Sequence, residues 1–154
     1  MQSPAWLAMD GAFVVFGILI AVGAVLLRSS LPRAVTALWV IVGITSAAAG
    51  AVPLDVDQQA HVALSAPALL LQPVALLLLA LSVPDRWRWP TVVVGLVSVV
   101  GAVGYLTRPS SAVGAGLFER LALWPAYLWL PVVALLLAAQ TRQPGPRIPD
   151  RAVR

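Results

Sequence analysis

Five long apolar runs, separated by short polar gaps, limit what this chain can fold into. They cover residues of about 11–27, 34–52, 61–83, 91–106 and 117–139. Each run approaches the roughly 20 residues that a helix needs to cross the hydrocarbon core of a membrane. Strands of a membrane barrel would alternate apolar and polar residues over about 10 positions, whereas these runs are apolar on all faces. The sequence therefore predicts an all-α fold, a multi-pass bundle of five transmembrane helices.

The composition also favours a membrane protein. Hydrophobic residues make up 60% of the chain and charged residues 10%, whereas a soluble domain carries roughly 25% charged residues. The absence of cysteine excludes disulfides, thiolate nucleophiles and cysteine metal sites. Basic residues fall in the gaps between the runs rather than on one folded face, so we expect no nucleic-acid partner.

Two parts of the chain differ in what they can bury. Residues 1–139 are predicted to form the transmembrane domain, whereas residues 140–154 are rich in proline and arginine and have little apolar surface to bury. We therefore expect a disordered tail after the fifth run. The first run follows no basic residue and comes directly after Asp10, which argues against a cleaved signal peptide.

The arginines predict the orientation in the membrane. If all five runs cross it, eight arginines lie on one side: Arg28, Arg33, Arg86, Arg88, Arg142, Arg147, Arg151 and Arg154. Only Arg108 and Arg120 lie on the other. Because cytoplasmic loops carry an excess of arginine and lysine, we expect the N-terminus outside and the C-terminus in the cytoplasm, with the protein in the plasma membrane.

Polar residues gather in PLDVDQQAHVALSAP, residues 53–67, at the predicted outer face. If a helix begins near Asp57, then Asp57, His61, Ser65 and Gln72 lie within an arc of about 80° along one face. Polar groups in a membrane span usually face the interior of the bundle. This stripe therefore predicts a polar face of the third helix that points toward the other helices.

Two interpretations of the polar residues stay open. In the first, a small cavity opens outward, Asp57 or Asp55 orients His61 for proton exchange, and Glu119 supplies a second acid. In the second, carboxylates pair with Arg108 and Arg120 and only clip the helix ends together. The remaining candidates for a ligand site or polar network are Ser65, Gln72, Trp124 and Tyr127. No ligand spacing supports a metal site, and we expect no cofactor.

Small residues form two further faces. Gly43, Ala47 and Gly50 lie on one side of the second run, and Gly17 and Ala21 on one side of the first. Such faces let helices approach closely. They predict close packing within the chain, or association with another copy or with a partner membrane protein.

The stretch GAVPLDVDQQAHVALSAP resembles the G-x-F-P-x-D…H signature of the bacterial multi-pass membrane family called domain of unknown function 998. WLAMDGAFVVFGIL and GLFERLALWPAYLWLPVVALLL resemble that family's second and last spans. The matching positions are Pro53, Asp55, His61, Glu119 and Arg120. The resemblance implies six spans, of which one would precede Met1. This chain departs from the signature at Val52, where the family usually has an aromatic residue. The resemblance implies no activity.

Three functions are compatible with these features. The first is a small lipid-embedded binding or accessory subunit, whose partners are membrane lipids, a small amphiphilic ligand or another membrane protein. The second is an integral-membrane enzyme that uses His61, Asp55, Asp57 and Glu119 on a lipid or isoprenoid-like substrate. The third is a transporter, which the absence of an internal repeat disfavours. The sequence favours the first.

Overall fold

A computed structural model of the chain describes residues 6–107 and 112–141. These residues form five helices: α1 (Trp6–Leu26), α2 (Arg33–Ala51), α3 (Gln58–Leu79), α4 (Asp85–Thr107) and α5 (Ala112–Thr141). All five are long and apolar enough to cross a membrane. The predicted all-α fold class with five membrane-spanning helices is therefore confirmed.

Helix ends differ from the predicted runs because polar residues extend the helices beyond their apolar stretches. α4 begins at Asp85, six residues before the apolar run, and so contains Trp87 and Trp89, which the sequence suggested as part of a gap. α3 begins at Gln58, three residues before its predicted run, and ends at Leu79, four residues before the end of that run, where the chain turns.

The fifth helix also runs past its predicted limits. It extends through Thr141, so residues 140 and 141, expected in the tail, continue the helix. Residues 142–154 lie outside the described part of the chain, and the disordered tail stays a prediction.

Adjacent helices run antiparallel. Gly50 of α2 packs on the backbone of Asp10, and Gly43 on that of Gly17, so α2 returns along α1. In the same way Gly104 of α4 packs on Phe118 of α5. One end of the bundle, the His61 end, therefore holds the starts of α1, α3 and α5. The opposite end, the Arg28 end, holds the turn from α1 to α2.

The core lies mainly between α2, α3 and α5. Its fully buried side chains include Val42, Leu76 and Leu79, and Trp39 is 2% exposed. A second, smaller cluster holds Leu69, Ala102, Ala122 and Leu123. α1 is the most peripheral helix, since 11% of its most apolar window is buried. Its aliphatic side chains face outward, as expected for a helix in contact with lipid.

Small residues set the spacing of α1 and α2. A Cβ atom added at Gly43 would lie 2.5 Å from the carbonyl oxygen of Gly17 and 2.6 Å from the backbone nitrogen of Ala21. A Cβ at Gly17 would overlap the backbone of Gly43 and Ala47. The two small-residue faces thus pack against each other within the chain. A partner membrane protein stays an expectation, and its contact surface would lie elsewhere.

Candidate functional site

The His61 ring is held by the turn that connects α2 and α3. Val52 ends α2 in an extended conformation, and its carbonyl oxygen lies 2.8 Å from His61 Nδ1. Because a carbonyl only accepts, Nδ1 is the donor, and Nε2 of the neutral ring is the acceptor. The local backbone therefore fixes both the orientation and the tautomer of His61.

His61 lines a small polar cavity at the His61 end of the bundle. Four helices contribute to its wall, which consists of Phe13, Ser46, Ala49, His61, Ser65, Ala68, Glu119, Leu123 and Tyr127. Its volume is about 20 Å³. About 10–15 Å³ on this measure is enough for one water molecule. The cavity thus has room for about one water among its five polar side chains.

Glu119 and Tyr127 bring α5 to this cavity. Glu119 is partly buried and interacts electrostatically with His61. The hydroxyl oxygens of Tyr127 and Ser46 lie 3.5 Å apart, at the limit of a hydrogen bond. On its other side the Tyr127 ring stacks on Phe16, with ring centroids 5.4 Å apart. Tyr127 therefore stands between the polar cavity and the apolar surface of α1.

Gln72 lies deeper in the bundle and is fully buried. Its Nε2 donates to the carbonyl oxygens of Ala122 and Leu123 at 2.9 and 3.0 Å. These carbonyls lie in the turn of α5 that precedes Pro125. Gln72 Oε1 has no hydrogen-bond partner within the described residues. The predicted need of this amide for a partner inside the bundle is met by the backbone of α5.

Asp57 and Asp55 do not line the cavity. Asp57 is the N-cap of α3, and its carboxylate accepts a hydrogen bond from the Ala60 N–H at 2.9 Å. Asp55 is exposed in the turn before α3. Asp57 therefore acts as a local cap, and the partner of His61 Nδ1 is the Val52 carbonyl.

Arg120 and Trp124 lie on the exposed side of α5. The Arg120 guanidinium donates to the Gly116 carbonyl at 3.5 Å and lies 5.9 Å from the Trp124 ring. Arg120 thus contacts its own helix, and its clip to a carboxylate stays a prediction. Arg108 lies outside the described residues, so its part in a clip stays a prediction.

Histidine and carboxylate side chains do not cluster within the described ranges 6–107 and 112–141. No group of three or more histidine and carboxylate side chains lies close enough there to hold an ion. The donors at the cavity are one imidazole, one carboxylate and three hydroxyl groups. This set is suited to hydrogen bonding and proton exchange.

The family model described as Protein of unknown function (DUF998) matches residues 2–136, which is most of the chain. The chain belongs to the DUF998 family. No curated protein and no solved structure matches this DUF998 chain. The family's description carries no activity, so the roles of its residues rest on geometry. Of the positions on which the resemblance rests, only His61 and Glu119 line the cavity of this DUF998 protein.

Several cavity residues were missed from the sequence. Ser46 could have been predicted from the sequence, since it is a polar residue beside the small-residue face of α2. Phe13, Ala49 and Leu123 are apolar and have no distinguishing pattern, whereas Ala68 lies on the predicted stripe of α3. The Val52 carbonyl belongs to the backbone, and no side-chain pattern marks it.

Proposed function

We propose that this protein is a small lipid-embedded binding or accessory protein of the bacterial plasma membrane. The polar cluster at its His61 end would join helix ends rather than catalyse a reaction. The observation that carries this proposal is the size of the cavity, about 20 Å³. Room for about one water molecule leaves no space for a lipid headgroup beside His61.

The contacts of the polar residues also support a connecting role. His61 bonds to the end of α2, the Tyr127 hydroxyl approaches Ser46 of α2, and Gln72 bonds to α5. Each contact joins two different elements. A bundle with little apolar driving force between its helices in lipid gains stability from such polar links.

An acid/base enzyme is the alternative, and one observation favours it. Nδ1 of His61 is fixed as a donor, so Nε2 is free of a proton in the neutral ring, as a general base requires. Glu119 lines the same cavity and would supply the acid. For this function the cavity would have to open to admit a substrate.

The two functions are distinguished by His61→Gln and Glu119→Gln in a strain that lacks the chromosomal gene. The measurements are the amount of folded protein in the membrane and the growth or envelope phenotype that the deletion causes. A connecting role predicts that the phenotype falls in proportion to folded protein. Thr45→Val is the matched control, because the Thr45 hydroxyl bonds within its own helix, to Ile41, and Thr45 does not line the cavity.

The opposite result would favour the enzyme. Full amounts of folded His61→Gln and Glu119→Gln protein with a complete loss of the phenotype would contradict the proposed function. A structure in lipid with a headgroup beside His61 would lead to the same conclusion.

A further inference from the structure

An apolar groove runs between α1 and α5. One part of it is lined by Leu19, Gly23, Leu27, Trp39, Ala134 and Leu137, among others, and has a volume of about 180 Å³. A second part, of about 210 Å³, lies between Met9 and Trp124. Phe16 and Tyr127 line both parts, so their ring stack lies at the boundary between them. We call the part that reaches Leu137 the α1–α5 groove.

The α1–α5 groove reaches the core of the bundle. Trp39, Leu79 and Val133 line it and are 1–2% exposed. An occupant of the groove would therefore contact core side chains of α2 and α3, unlike a lipid on the outer surface of one helix.

The length of the groove matches one leaflet. From Phe16 to Leu27 the groove extends along eleven residues of chain, or about 16 Å at 1.5 Å per residue. Half of a hydrocarbon core that is roughly 30 Å thick is about 15 Å. A single extended hydrocarbon chain therefore has the right length.

Cationic side chains lie at the Arg28 end of the groove. Leu27 and Leu31 line the groove there, and Arg28 and Arg33 lie close to them in the chain. Arginine binds phosphate groups strongly. Arg28 and Arg33 are both exposed at that end.

We propose that the α1–α5 groove holds one acyl chain of a membrane phospholipid from the leaflet at the Arg28 end. The phosphate lies near Arg28 and Arg33, which are exposed at that end. The chain ends at the stack of Phe16 on Tyr127. This inference rests on the proposed binding function and identifies its ligand, but it does not involve His61. If the lipid test fails, the proposed role of the polar cluster is therefore unaffected, and the reverse also holds.

Gly23 allows the groove to be filled without disturbing the fold. A Cβ added at Gly23 meets nothing within 4 Å, and Gly23 lines the groove. Gly11 has the same open surroundings on the same helix but does not line it. Leucine favours a helix more than glycine does at both positions. Gly23→Leu and Gly11→Leu are therefore a matched pair.

The test is native mass spectrometry of the full chain released from nanodiscs of palmitoyl-oleoyl phosphatidylglycerol and phosphatidylethanolamine. We expect one phospholipid to stay bound to the wild type and to Gly11→Leu, and retention to fall at least ten-fold in Gly23→Leu. Arg28→Gln combined with Arg33→Gln should retain several-fold less. Equal retention by Gly23→Leu and Gly11→Leu would overturn the site. If the wild type is a dimer and Gly23→Leu is a monomer, the groove binds a second copy of the chain. That result would also contradict the lipid proposal.

A second measurement uses only the wild type and so does not depend on how the variants fold. Phosphatidylglycerol with a diazirine on one acyl chain is incorporated into the same nanodiscs and activated by light. We expect adducts to concentrate on Leu19 and Ala134, with several-fold fewer on Val93 and Val100, which are exposed on α4. Uniform labelling of these four residues would show ordinary surface lipid and contradict the proposal.

Discussion

Gln72 shows how a single polar residue stabilises a bundle in lipid. Its amide is fully buried and donates to two carbonyl oxygens of α5 beside Pro125. A carbonyl oxygen has two lone pairs, so each can accept from Gln72 in addition to a helical N–H. The two bonds connect α3 to α5.

Gln72→Leu should lower the free energy of unfolding by about 1 kcal/mol, the size of an interhelical hydrogen bond in a membrane. The measurement is an SDS titration in detergent micelles, followed by tryptophan fluorescence. Ser65→Ala is the control, since its hydrogen bond stays within α3. Equal stability of Gln72→Leu and wild type would mean that the amide does not connect the helices.

Asp57 can be tested as a cap rather than as a partner of His61. Asp57→Ala should destabilise the protein by about 1 kcal/mol, because the Ala60 N–H loses its acceptor. Asp57→Ser should be nearly neutral, because serine caps well without a carboxylate. The same SDS titration compares the two. If Asp57→Ser is as destabilised as Asp57→Ala, the carboxylate has a role beyond the cap.

At the scale of elements, close backbone approach joins α1 to the rest of the bundle. α1 exposes many aliphatic side chains and contacts α2 through glycine and alanine. Dispersion between closely spaced backbones replaces the hydrophobic effect as the force that brings helices together in lipid. The Gly17 and Gly43 positions therefore decide whether α1 packs correctly.

Gly43→Ala should destabilise the protein by about 1–3 kcal/mol, the usual cost of overpacking. The new Cβ would lie 2.5 Å from the Gly17 carbonyl oxygen, so the two backbones must separate. Gly11→Ala is the matched control and should be neutral or slightly stabilising, because nothing lies within 4 Å of the added carbon. Chemical unfolding of both variants is compared in micelles. Similar stabilities would exclude a tight α1–α2 contact.

The whole molecule is a bundle with two different ends. The His61 end holds the polar cavity, and the Arg28 end holds Arg28, Arg33, Arg86 and Arg88. These four arginines are exposed, and Arg88 pairs with Asp85 at 2.9 Å. Clustering of arginine at one end of a membrane protein predicts that this end lies in the cytoplasm.

The orientation can be measured with single cysteines, because the chain has none of its own. Val56→Cys, at an exposed position of the His61 end, should react with a membrane-impermeant maleimide in intact cells. Ser29→Cys, exposed at the Arg28 end, should react only after the cells are permeabilised. The reverse pattern would place the N-terminus in the cytoplasm and contradict the arginine rule.

Local patterns predicted the elements well and the site only in part. The apolar runs are long enough to identify every described helix, because burial in lipid requires continuous apolar sequence. The stripe of Asp57, His61, Ser65 and Gln72 was read on one face of α3, and three of these side chains turn inward. Asp57 differs because a helix N-terminus offers its carboxylate a closer partner than His61.

The sequence alone determined the number and type of the helices and the family, since these depend on residues close together in the chain. Only the tertiary structure decided what surrounds PLDVDQQAHVALSAP. The packing of α1, α2 and α5 on α3 sets the cavity at about 20 Å³, gives His61 the Val52 carbonyl as its partner and leaves a groove between α1 and α5. Such spaces depend on how distant side chains meet, and a pattern along one helix does not encode that.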